Sequence, residues 1–418
     1  MYRCRFYSRP ALLLAAAALL TACEPAQTRD IERAPAPSNL HERILTLDTH
    51  VDIPLNYMNG VDPGFETDSQ VDLPKMVEGG LDAAFFIVYT PQTPFSLDAP
   101  EAVDYAAADH IAQTRFRAIQ KLLIEYPDQV SLCITADEVR EAAAKGRRAV
   151  LIGMENAFPL GADITKVELW ARRGVRYVGL THMGHNQFGD SSNPKVQWGE
   201  SESLHGGLST LGERLVRKLN DVGVMVDVSH ASKAAMLQAT KLSRVPVIAS
   251  HSGVMGVAKS ARNLDDEQLL AIKENGGVVQ LVALGAYVKA LTPQQEAYKM
   301  SVRASLGLET DAKLYAMDEA TAIIYRDKLK PMAALAPAAS VADFVDHIDY
   351  AVKVMGLDHV GIASDFDGGG GILGWEDASK TPAVTAELAA RGYSEDDIAK
   401  IWGGNLLRVM EAVEAGRR

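Results

Sequence analysis

The chain has 418 residues, of which 47% are hydrophobic and 23% are charged, with 33 Gly and 18 Pro. These proportions are close to the average of globular proteins and exclude a collagen, a coiled coil and a chain disordered throughout. The 54 acidic and 42 basic residues give a formal net charge of -12, which argues against nucleic-acid binding because that function needs basic surfaces. The length predicts one large α/β domain or two ordinary ones.

The first 22 residues have the pattern of a secretory signal rather than of folded structure. Three arginines precede an apolar run at residues 11–20, which is shorter than the roughly 20 apolar residues of a membrane-spanning helix. Leu20-Thr21-Ala22-Cys23 then resembles a bacterial lipoprotein box, in which cleavage precedes the Cys and the thiol carries the lipid. We therefore expect a lipoprotein signal peptide at residues 1–22 and a diacylglycerol on Cys23; the alternative is an ordinary signal peptide with an incidental Cys.

Residues 23–40 are polar and Pro-rich, and we interpret them as a flexible tether to a domain that spans residues 41–418. Cleavage takes three arginines and no acid from the net charge of -12, which leaves -15. Cys4 leaves with the signal and Cys23 is acylated, so only Cys133 remains and no intrachain disulfide is expected. These features predict a lipid-anchored, periplasm-facing protein of the bacterial envelope, and Glu24 in place of an Asp favours the outer membrane.

From residue 44 onward, short apolar runs rich in β-branched and aromatic residues alternate with longer amphipathic stretches. Such runs are typical of parallel strands that are buried on both faces. The eight predicted strands are Ile44–Leu47, Ala83–Tyr89, Ala149–Gly153, Tyr177–Leu180, Val224–Val228, Val247–Ala249, Gly277–Val282 and Val360–Ile362. The predicted helices include Asp163–Arg173, Leu211–Asp221, Asp265–Asn275 and Val341–Met355. This alternation predicts an α/β protein with a closed (β/α)8 (TIM) barrel; an open doubly wound sheet is the alternative.

Residues 286–337 interrupt the alternation between the seventh and eighth predicted strands. They contain two helical patterns, at Gln294–Ser305 and Asp311–Leu329. A connection of this length inside a compact domain is usually functional. We expect a helical insertion that forms a lid or a subunit contact.

Histidines and carboxylates follow six of the predicted strands. His50 and Asp52 lie two residues apart, so an extended chain directs both side chains to the same face. Later strands are followed by Glu155, His182, His230, His251 and Asp365. The carboxyl ends of barrel strands converge on one rim, where enzymes of this fold keep their active sites. We therefore expect these side chains to form one site.

The remaining six histidines have ordinary structural interpretations. His347-Ile348-Asp349 repeats the two-residue spacing, but it lies in a predicted helix, where that spacing puts the side chains on nearly opposite sides. The other five lie in predicted tethers, helices or loops: His41, His110, His185, His205 and His359. We expect none of them to bind a metal.

Imidazoles and carboxylates without thiolates suit Zn²⁺, with Mn²⁺, Fe²⁺ or Co²⁺ as alternatives. The strand ends supply more ligands than the roughly three protein groups that a single catalytic zinc takes. Two metal ions bridged by one carboxylate would use them all. The pattern therefore predicts a dinuclear metal-dependent hydrolase.

The ordered motifs resemble those of one enzyme family. They are Asp48-Thr-His50-Val-Asp52, Glu155, Leu-Thr-His182, Val-Ser-His230, Ser-His251-Ser and Ser-Asp365-Phe-Asp367-Gly. Together they resemble the membrane dipeptidase (renal dipeptidase) family, peptidase family M19 of the amidohydrolase-like superfamily. The resemblance extends from residue 44 to the end of the chain. It implies a (β/α)8 barrel with two zinc ions, commonly a homodimer, that cleaves dipeptides, often with a D-residue at the carboxyl end; some members also open β-lactam-like dehydropeptides.

The resemblance also assigns the metal ligands. By position, His50 and Asp52 would hold one zinc ion, and His230 and His251 would hold the other. Glu155 would bridge the two ions.

The remaining assignments concern the substrate. His182 matches the family's histidine that stabilises the substrate carbonyl as it becomes an oxyanion, and Arg262 matches the arginine that binds the terminal carboxylate. Asp365 matches the acid–base carboxylate. The mechanism that follows is attack by a hydroxide bridging the zinc ions, with Asp365 passing the proton to the leaving amine.

The sequence departs from the family pattern near two motifs. Asn156 and Ala157 follow Glu155 where the family often has Gly, and the segment after His182 lacks the Cys of the mammalian proteins. These changes leave substrate preference open. The alternatives are a related dinuclear amidohydrolase acting on a lactone, a non-peptide amide or a phosphoester, and a non-catalytic lipoprotein that captures metal or peptide.

Overall fold

The computed structural model of the protein describes residues 38–97, 103, 105–309, 313 and 319–418. The predicted signal peptide, Cys23 and most of the predicted tether lie outside these ranges. Within them, no helix combines the length and apolar character needed to cross a membrane. The described chain begins with a short helix, Ser38–His41, which takes up the last residues assigned to the tether.

Eight parallel strands form a nearly closed barrel, which confirms the predicted (β/α)8 architecture. The strands of the sheet are β1 (Leu47–Val51), β2 (Ala83–Tyr89), β3 (Val130–Leu132), β4 (Arg148–Glu155), β5 (Val175–Gly179), β6 (Met225–Asp227), β7 (Ile248–Ser252), β8 (Val278–Val282) and β9 (Val360–Ala363). Their order around the barrel is β1-β2-β4-β5-β6-β7-β8-β9, and β3 pairs with β4 outside this path. The barrel closes where Asp52 N donates to Phe366 O at 2.9 Å and Asp365 N donates to His50 O at 3.0 Å.

Helices connect the strands on the outside of the barrel. They are α1 (Ser38–His41), α2 (Leu73–Glu78), α3 (Ala106–Glu125), α4 (Ala136–Ala144), α5 (Lys166–Arg172), α6 (Thr210–Val222), α7 (Lys233–Leu242), α8 (Asp266–Glu274), α9 (Gly285–Val288), α10 (Pro293–Ser305), α11 (Glu319–Leu329), α12 (Val341–Met355), α13 (Pro382–Ala390), α14 (Glu395–Ala399) and α15 (Asn405–Ala415). A π-helical turn at Lys400–Gly404 joins α14 to α15. Asp265, the first residue of a predicted helix, is the N-cap of α8, and its carboxylate accepts from Gln268 N in a reciprocal capping box.

Alternate residues of the strands face two different hydrophobic layers. In β2, Phe85 belongs to the cluster that fills the barrel, whereas Phe86 belongs to the cluster between the sheet and the helices. Leu151 and Ile152 divide in the same way in β4. Because both faces are buried, strands such as β2 and β4 contain continuous apolar runs, which is why they could be predicted.

Two details of the sheet differ from the prediction. β1 spans Leu47–Val51, whereas the predicted strand was Ile44–Leu47. The observed strand continues past Leu47 through polar side chains, which are hydrogen-bonded inside the barrel. The Thr49 hydroxyl lies 2.9 Å from both Ser250 O and Ile362 O. β3 was not predicted, since its three residues are too few for a periodic pattern.

The predicted insertion is helical and lies between β8 and β9. Residues 285–337 contain α9, α10, α11 and a 3₁₀ turn at Lys330–Ala334. A small apolar cluster holds α10 and α11 together through Val302, Leu308 and Tyr325. The start of the second predicted insertion helix, at residues 311–318, falls almost entirely outside the described residues.

Candidate active site

The predicted site residues gather at the carboxyl ends of the barrel strands. His50 lies in β1, with Asp52 immediately after it, and Glu155 is the last residue of β4. His251 lies in β7, while His182, His230 and Asp365 follow β5, β6 and β9 by two or three residues. The barrel therefore brings together residues that are up to 315 positions apart in the chain.

The Glu155 carboxylate lies at the centre of the group. Its Oε1 is 2.9 Å from His230 Nε2, 3.4 Å from His251 Nε2 and 3.7 Å from His182 Nε2. Its Oε2 is 3.7 Å from His50 Nε2. Each oxygen thus faces a different set of imidazoles, which is the position a bridging carboxylate would occupy.

Two further carboxylates lie on the His50 side of the site. His50 Nε2 is 3.6 Å from Asp52 Oδ2 and 3.9 Å from Asp365 Oδ1. Gly368 makes room for both acids, since a Cβ at this position would lie 2.2 Å from Asp52 Oδ2 and 2.4 Å from Asp365 Oδ1. Asp365 itself has a φ of 59°, a left-handed conformation that Asp and Asn adopt more readily than most residues.

The donor set fits divalent cations. Three groups of ligand atoms lie within 4.8 Å of one another: His50–Glu155–His251, Glu155–His182–His230 and His50–Asp52–Asp365. His50 Nε2 is buried without a hydrogen-bond partner, and the Nε2 atoms of His230 and His251 are only 2.9 Å apart. Two bare imidazole nitrogens repel at this distance, so a shared cation or a proton must lie against them. His182 is as close to Glu155 as His50 is, so distance alone does not separate it from the ligands.

Burial and mutual charge shift the pKa values in this cluster. Burial opposes ionisation of Glu155, but the neighbouring imidazoles outweigh it and hold its pKa well below the usual range. Burial lowers the pKa of His230 and His251. Burial, assisted by the nearby acids, raises the pKa of Asp365 to about 8. A bound cation would lower this pKa again, so Asp365 can exchange a proton near neutral pH.

Arg262 lies beside the metal ligands rather than on the cavity surface. Its guanidinium donates to Ser229 O and, at 3.0 Å, to His251 O, and it lies 5.5 Å from the centre of the Tyr287 ring. Only 1% of the residue is exposed, and its Nε is buried without a hydrogen-bond partner. The structure thus puts the predicted carboxylate-binding arginine next to the site, with Tyr287 at the cavity wall.

A cavity of about 340 Å³ opens over the cluster. It is lined by Asp52, Ile53, Pro54, Tyr89, Arg115, Glu155, His182, Met183, His230, His251, Leu284, Tyr287, Asp365, Asp367 and Gly368. Its size is at the lower end of the range for small-molecule sites, which suits a compact substrate.

Several cavity residues were not predicted from the sequence, and three of them carry polar groups: Tyr89, Arg115 and Tyr287. Tyr89 ends β2, so its position at a strand end was an available signal. Arg115 comes from the middle of α3, and Tyr287 from the start of the insertion, where no local pattern marks either residue. Arg115 donates to Ile53 O at 2.6 Å and lies 3.6 Å from Asp52 Oδ1.

Asn156 occupies a position after Glu155 where the family often has Gly, and its backbone conformation explains why Asn is tolerated there. Its φ is 73°, in the left-handed region that Gly and Asn adopt most easily. Its amide donates to Thr90 O and Gln92 Oε1, which joins the ends of β2 and β4. The substitution therefore preserves the backbone turn and adds hydrogen bonds beside the site.

The other histidines are placed as the sequence predicts. Five of them bond to main-chain or side-chain groups outside the cluster: His41, His185, His205, His347 and His359. His110 is exposed on α3. The free Cys133 is buried.

Sequence comparison identifies the family. A family model described as "Membrane dipeptidase (Peptidase family M19)" matches residues 36–418. The chain belongs to this metallopeptidase family. Dipeptidase aclJ of Aspergillus oryzae is 31% identical over 353 residues, which cover 82% of this chain and 70% of the relative. Dipeptidase ataJ of Aspergillus terreus is 30% identical over 397 residues, which cover 89% and 85%.

Solved structures of similar peptidases share the fold. The probable dipeptidase PvdM of Pseudomonas aeruginosa superimposes with a TM-score of 0.82 at 35% identity, covering 91% of this chain and 98% of that one. A metallopeptidase of Rhodobacter sphaeroides, solved with a phosphinate mimic of L-Ala-D-Ala, has a TM-score of 0.66 at 25% identity, covering 88% and 99%. The family is metal-dependent, and the His, Glu and Asp cluster is where a metal would bind.

Proposed function

We propose that this M19 family member is a dinuclear zinc dipeptidase that hydrolyses the peptide bond of dipeptides, including those with a D-residue at the carboxyl end. The observation that carries the proposal is the convergence of five donors beneath a small cavity: His50, Asp52, Glu155, His230 and His251. His50 and Asp52 would hold one ion, His230 and His251 the other, and Glu155 would bridge them.

Bound cations would supply the positive charge that polarises the substrate carbonyl and acidifies the attacking water. The protein holds the ligands in place for this role. Because the site is buried, few water molecules compete for the ligand atoms, and electrostatic interactions there are stronger than at the surface.

His182 and Asp365 act on the reacting atoms. His182 lies at the cavity wall next to Glu155, where an N–H from its ring can stabilise the oxygen of the former carbonyl as negative charge develops. Asp365 faces the same cavity and takes the proton from the attacking water. It then gives that proton to the nitrogen of the leaving amine, which breaks the peptide bond.

The cavity restricts the substrate to short peptides. Arg262 would bind the free carboxylate once its guanidinium turns from Ser229 O and His251 O toward the cavity. From its buried position its positive charge already reaches His182, His230 and Asp365. Tyr89 and Tyr287 line the cavity, whose volume of about 340 Å³ suits two residues. We therefore expect dipeptides to be cleaved in preference to tripeptides.

The test is turnover of L-Ala-L-Ala and L-Ala-D-Ala by zinc-loaded protein, with a tripeptide, a lactone and a phosphotriester for comparison. Asp365→Asn is the key variant, since Asn tolerates the left-handed backbone and changes no volume. We expect dipeptide turnover to fall by about 10²–10⁴-fold while zinc is retained. Unchanged rates would remove Asp365 from the mechanism, and a zinc-loaded wild type that prefers the lactone or the phosphotriester would overturn the dipeptidase assignment.

We also propose that the mature protein is anchored by a lipid on Cys23, faces the periplasm and forms a homodimer. The support is the lipoprotein box at residues 20–23 and the family membership of the chain. Exchange of residues 1–23 for an ordinary cleavable secretory signal should release the protein from the membrane fraction, and size-exclusion chromatography of the released form should show twice the mass of one chain. Retention of this form in membranes, or a monomeric elution volume, would contradict these assignments.

A further inference from the structure

Two hydroxyl groups beneath the proposed metal site contact the far side of two imidazole rings. The first is that of Tyr177 in β5, whose oxygen lies 2.9 Å from His50 Nδ1 and 3.2 Å from Thr49 O. A carbonyl oxygen only accepts, so the single hydroxyl hydrogen of Tyr177 is donated to Thr49 O. His50 Nδ1 must then donate to the Tyr177 oxygen, which leaves Nε2 without a proton and facing Glu155.

Ser250 makes an equivalent arrangement at His251. The Ser250 hydroxyl lies 2.8 Å from Asp227 Oδ2 and 2.8 Å from His251 Nδ1. Its hydrogen goes to the carboxylate, the strongest acceptor within reach, so the Ser250 oxygen accepts from His251 Nδ1–H. The ring again turns a bare Nε2 toward Glu155.

We infer that Tyr177 and Ser250, the latter through Asp227, are positioning residues that set the tautomer and orientation of His50 and His251 for binding metal through Nε2. The inference rests on the proposed function for the presence of the metal. A histidine ligand whose other nitrogen donates to a fixed acceptor binds metal more tightly, because its ring neither rotates nor changes tautomer.

Both groups are themselves held rigidly. Tyr177 is fully buried, its ring lies 5.0 Å from that of Phe85, and it fills the space left by Gly153, where a Cβ would lie 2.3 Å from the tyrosine ring. Asp227 is also fixed, since its Oδ1 accepts from Ser229 N at 3.1 Å and from Ser250 N at 2.9 Å. The barrel thus supports these hydroxyls before any ligand arrives.

The two hydroxyls orient ligands of different proposed ions. Tyr177 contacts His50, which would bind one ion together with Asp52, and Ser250 contacts His251, which would bind the other ion together with His230. Tyr177→Phe should therefore weaken one of two zinc-binding steps, and Ser250→Ala the other. Changes in outer hydrogen bonds of this kind lower metal affinity by about 10–100-fold.

The experiment is competitive zinc titration of the full-length protein against a chromogenic chelator. Tyr350→Phe and Ser243→Ala are the matched controls, since each removes a hydroxyl that is hydrogen-bonded away from the site, to Asp266 and Val245 O respectively. The expected result is a 10–100-fold weaker zinc affinity in Tyr177→Phe and Ser250→Ala, with wild-type affinity in both controls.

Ring ¹⁵N spectra of the zinc-loaded wild type give a second reading that does not depend on the folding of any variant. We expect a proton on Nδ1 and zinc on Nε2 of both His50 and His251. Unchanged zinc affinity in Tyr177→Phe and Ser250→Ala, or zinc on Nδ1 of either ring, would overturn the inference and leave the dipeptidase proposal intact. A wild type that binds no zinc would overturn both.

Discussion

His347 lies in the interior of the fold and should make stability depend on pH. Only 1% of the residue is exposed, its Nδ1 accepts from Val254 N at 3.1 Å, and its Nε2 donates to Val288 O at 2.9 Å. One imidazole nitrogen must accept and the other must donate, so the folded protein requires the neutral ring. The informative perturbation is His347→Phe, which keeps an aromatic ring and removes both hydrogen bonds.

Burial lowers the pKa of His347 below its usual 6.5. The unfolded chain therefore takes up a proton at a higher pH than the folded chain does, and the stabilisation by His347 is complete above pH 6.5 and lost as the pH falls below it. At pH 7.5, His347→Phe leaves Val254 N–H and Val288 C=O unpaired, at about 1–3 kcal/mol for each group. For the two groups together we expect a destabilisation of about 2–6 kcal/mol at pH 7.5 and a smaller one at pH 5.

Urea unfolding of wild type and His347→Phe at pH 7.5 and pH 5 measures this difference. Subtracting the two proteins at each pH cancels the contribution of other titrating groups, including that of the buried His41. His110→Phe is the control, since His110 is exposed on α3 and should show little effect at either pH. An equal destabilisation by His347→Phe at both pH values would refute the assignment of a neutral ring.

Two further predictions concern the active site. Gly368→Ala should lower zinc affinity by at least tenfold in a chelator titration, because its Cβ would lie 2.2 Å from Asp52 Oδ2 and 2.4 Å from Asp365 Oδ1 and must displace these carboxylates. Arg115→Met should raise the KM for dipeptides by about 10–150-fold in steady-state assays, which corresponds to one lost hydrogen bond to a charged group, because Arg115 brings a guanidinium to the cavity wall.

Matched substitutions separate these effects from general destabilisation. Gly285→Ala adds a Cβ whose nearest neighbour is 3.8 Å away, so its zinc affinity should equal that of the wild type. Arg214→Met removes an exposed arginine of α6 and should leave KM unchanged. A normal zinc affinity in Gly368→Ala would contradict the steric argument, and a wild-type KM in Arg115→Met would show that Arg115 does not contact the substrate.

Much of the barrel could be predicted because its strands are buried on both faces. β2 matches its predicted range, and the predicted helix Val341–Met355 is observed with the same ends. Asp265, the first residue of a predicted helix, is the N-cap of α8. β1 was predicted too early in the chain because its polar residues are typical of a loop. Inside the barrel, groups of other strands accept hydrogen bonds from these side chains, as Ser250 O and Ile362 O do from Thr49.

The site residues were predictable for a related reason. The carboxyl ends of all barrel strands lie at the same rim. His50, Glu155 and His251 could therefore be assigned to one site before any distance was known. The helical position of His347 likewise separated it from this group. The direction of each ring and the identity of its second hydrogen-bond partner were not accessible in that way.

The amino-acid sequence alone specifies which residue types follow each strand, and hence the barrel, the family and the metal-binding character of its rim. Folding decides which distant groups surround the site: Arg115 comes from a helix, Tyr177 contacts His50 across 127 positions of chain, and Arg262 donates to backbone carbonyls. The physical reason is range. Strand periodicity and capping act over a few residues, whereas these contacts depend on strand register and on close packing inside the barrel, which no local pattern records.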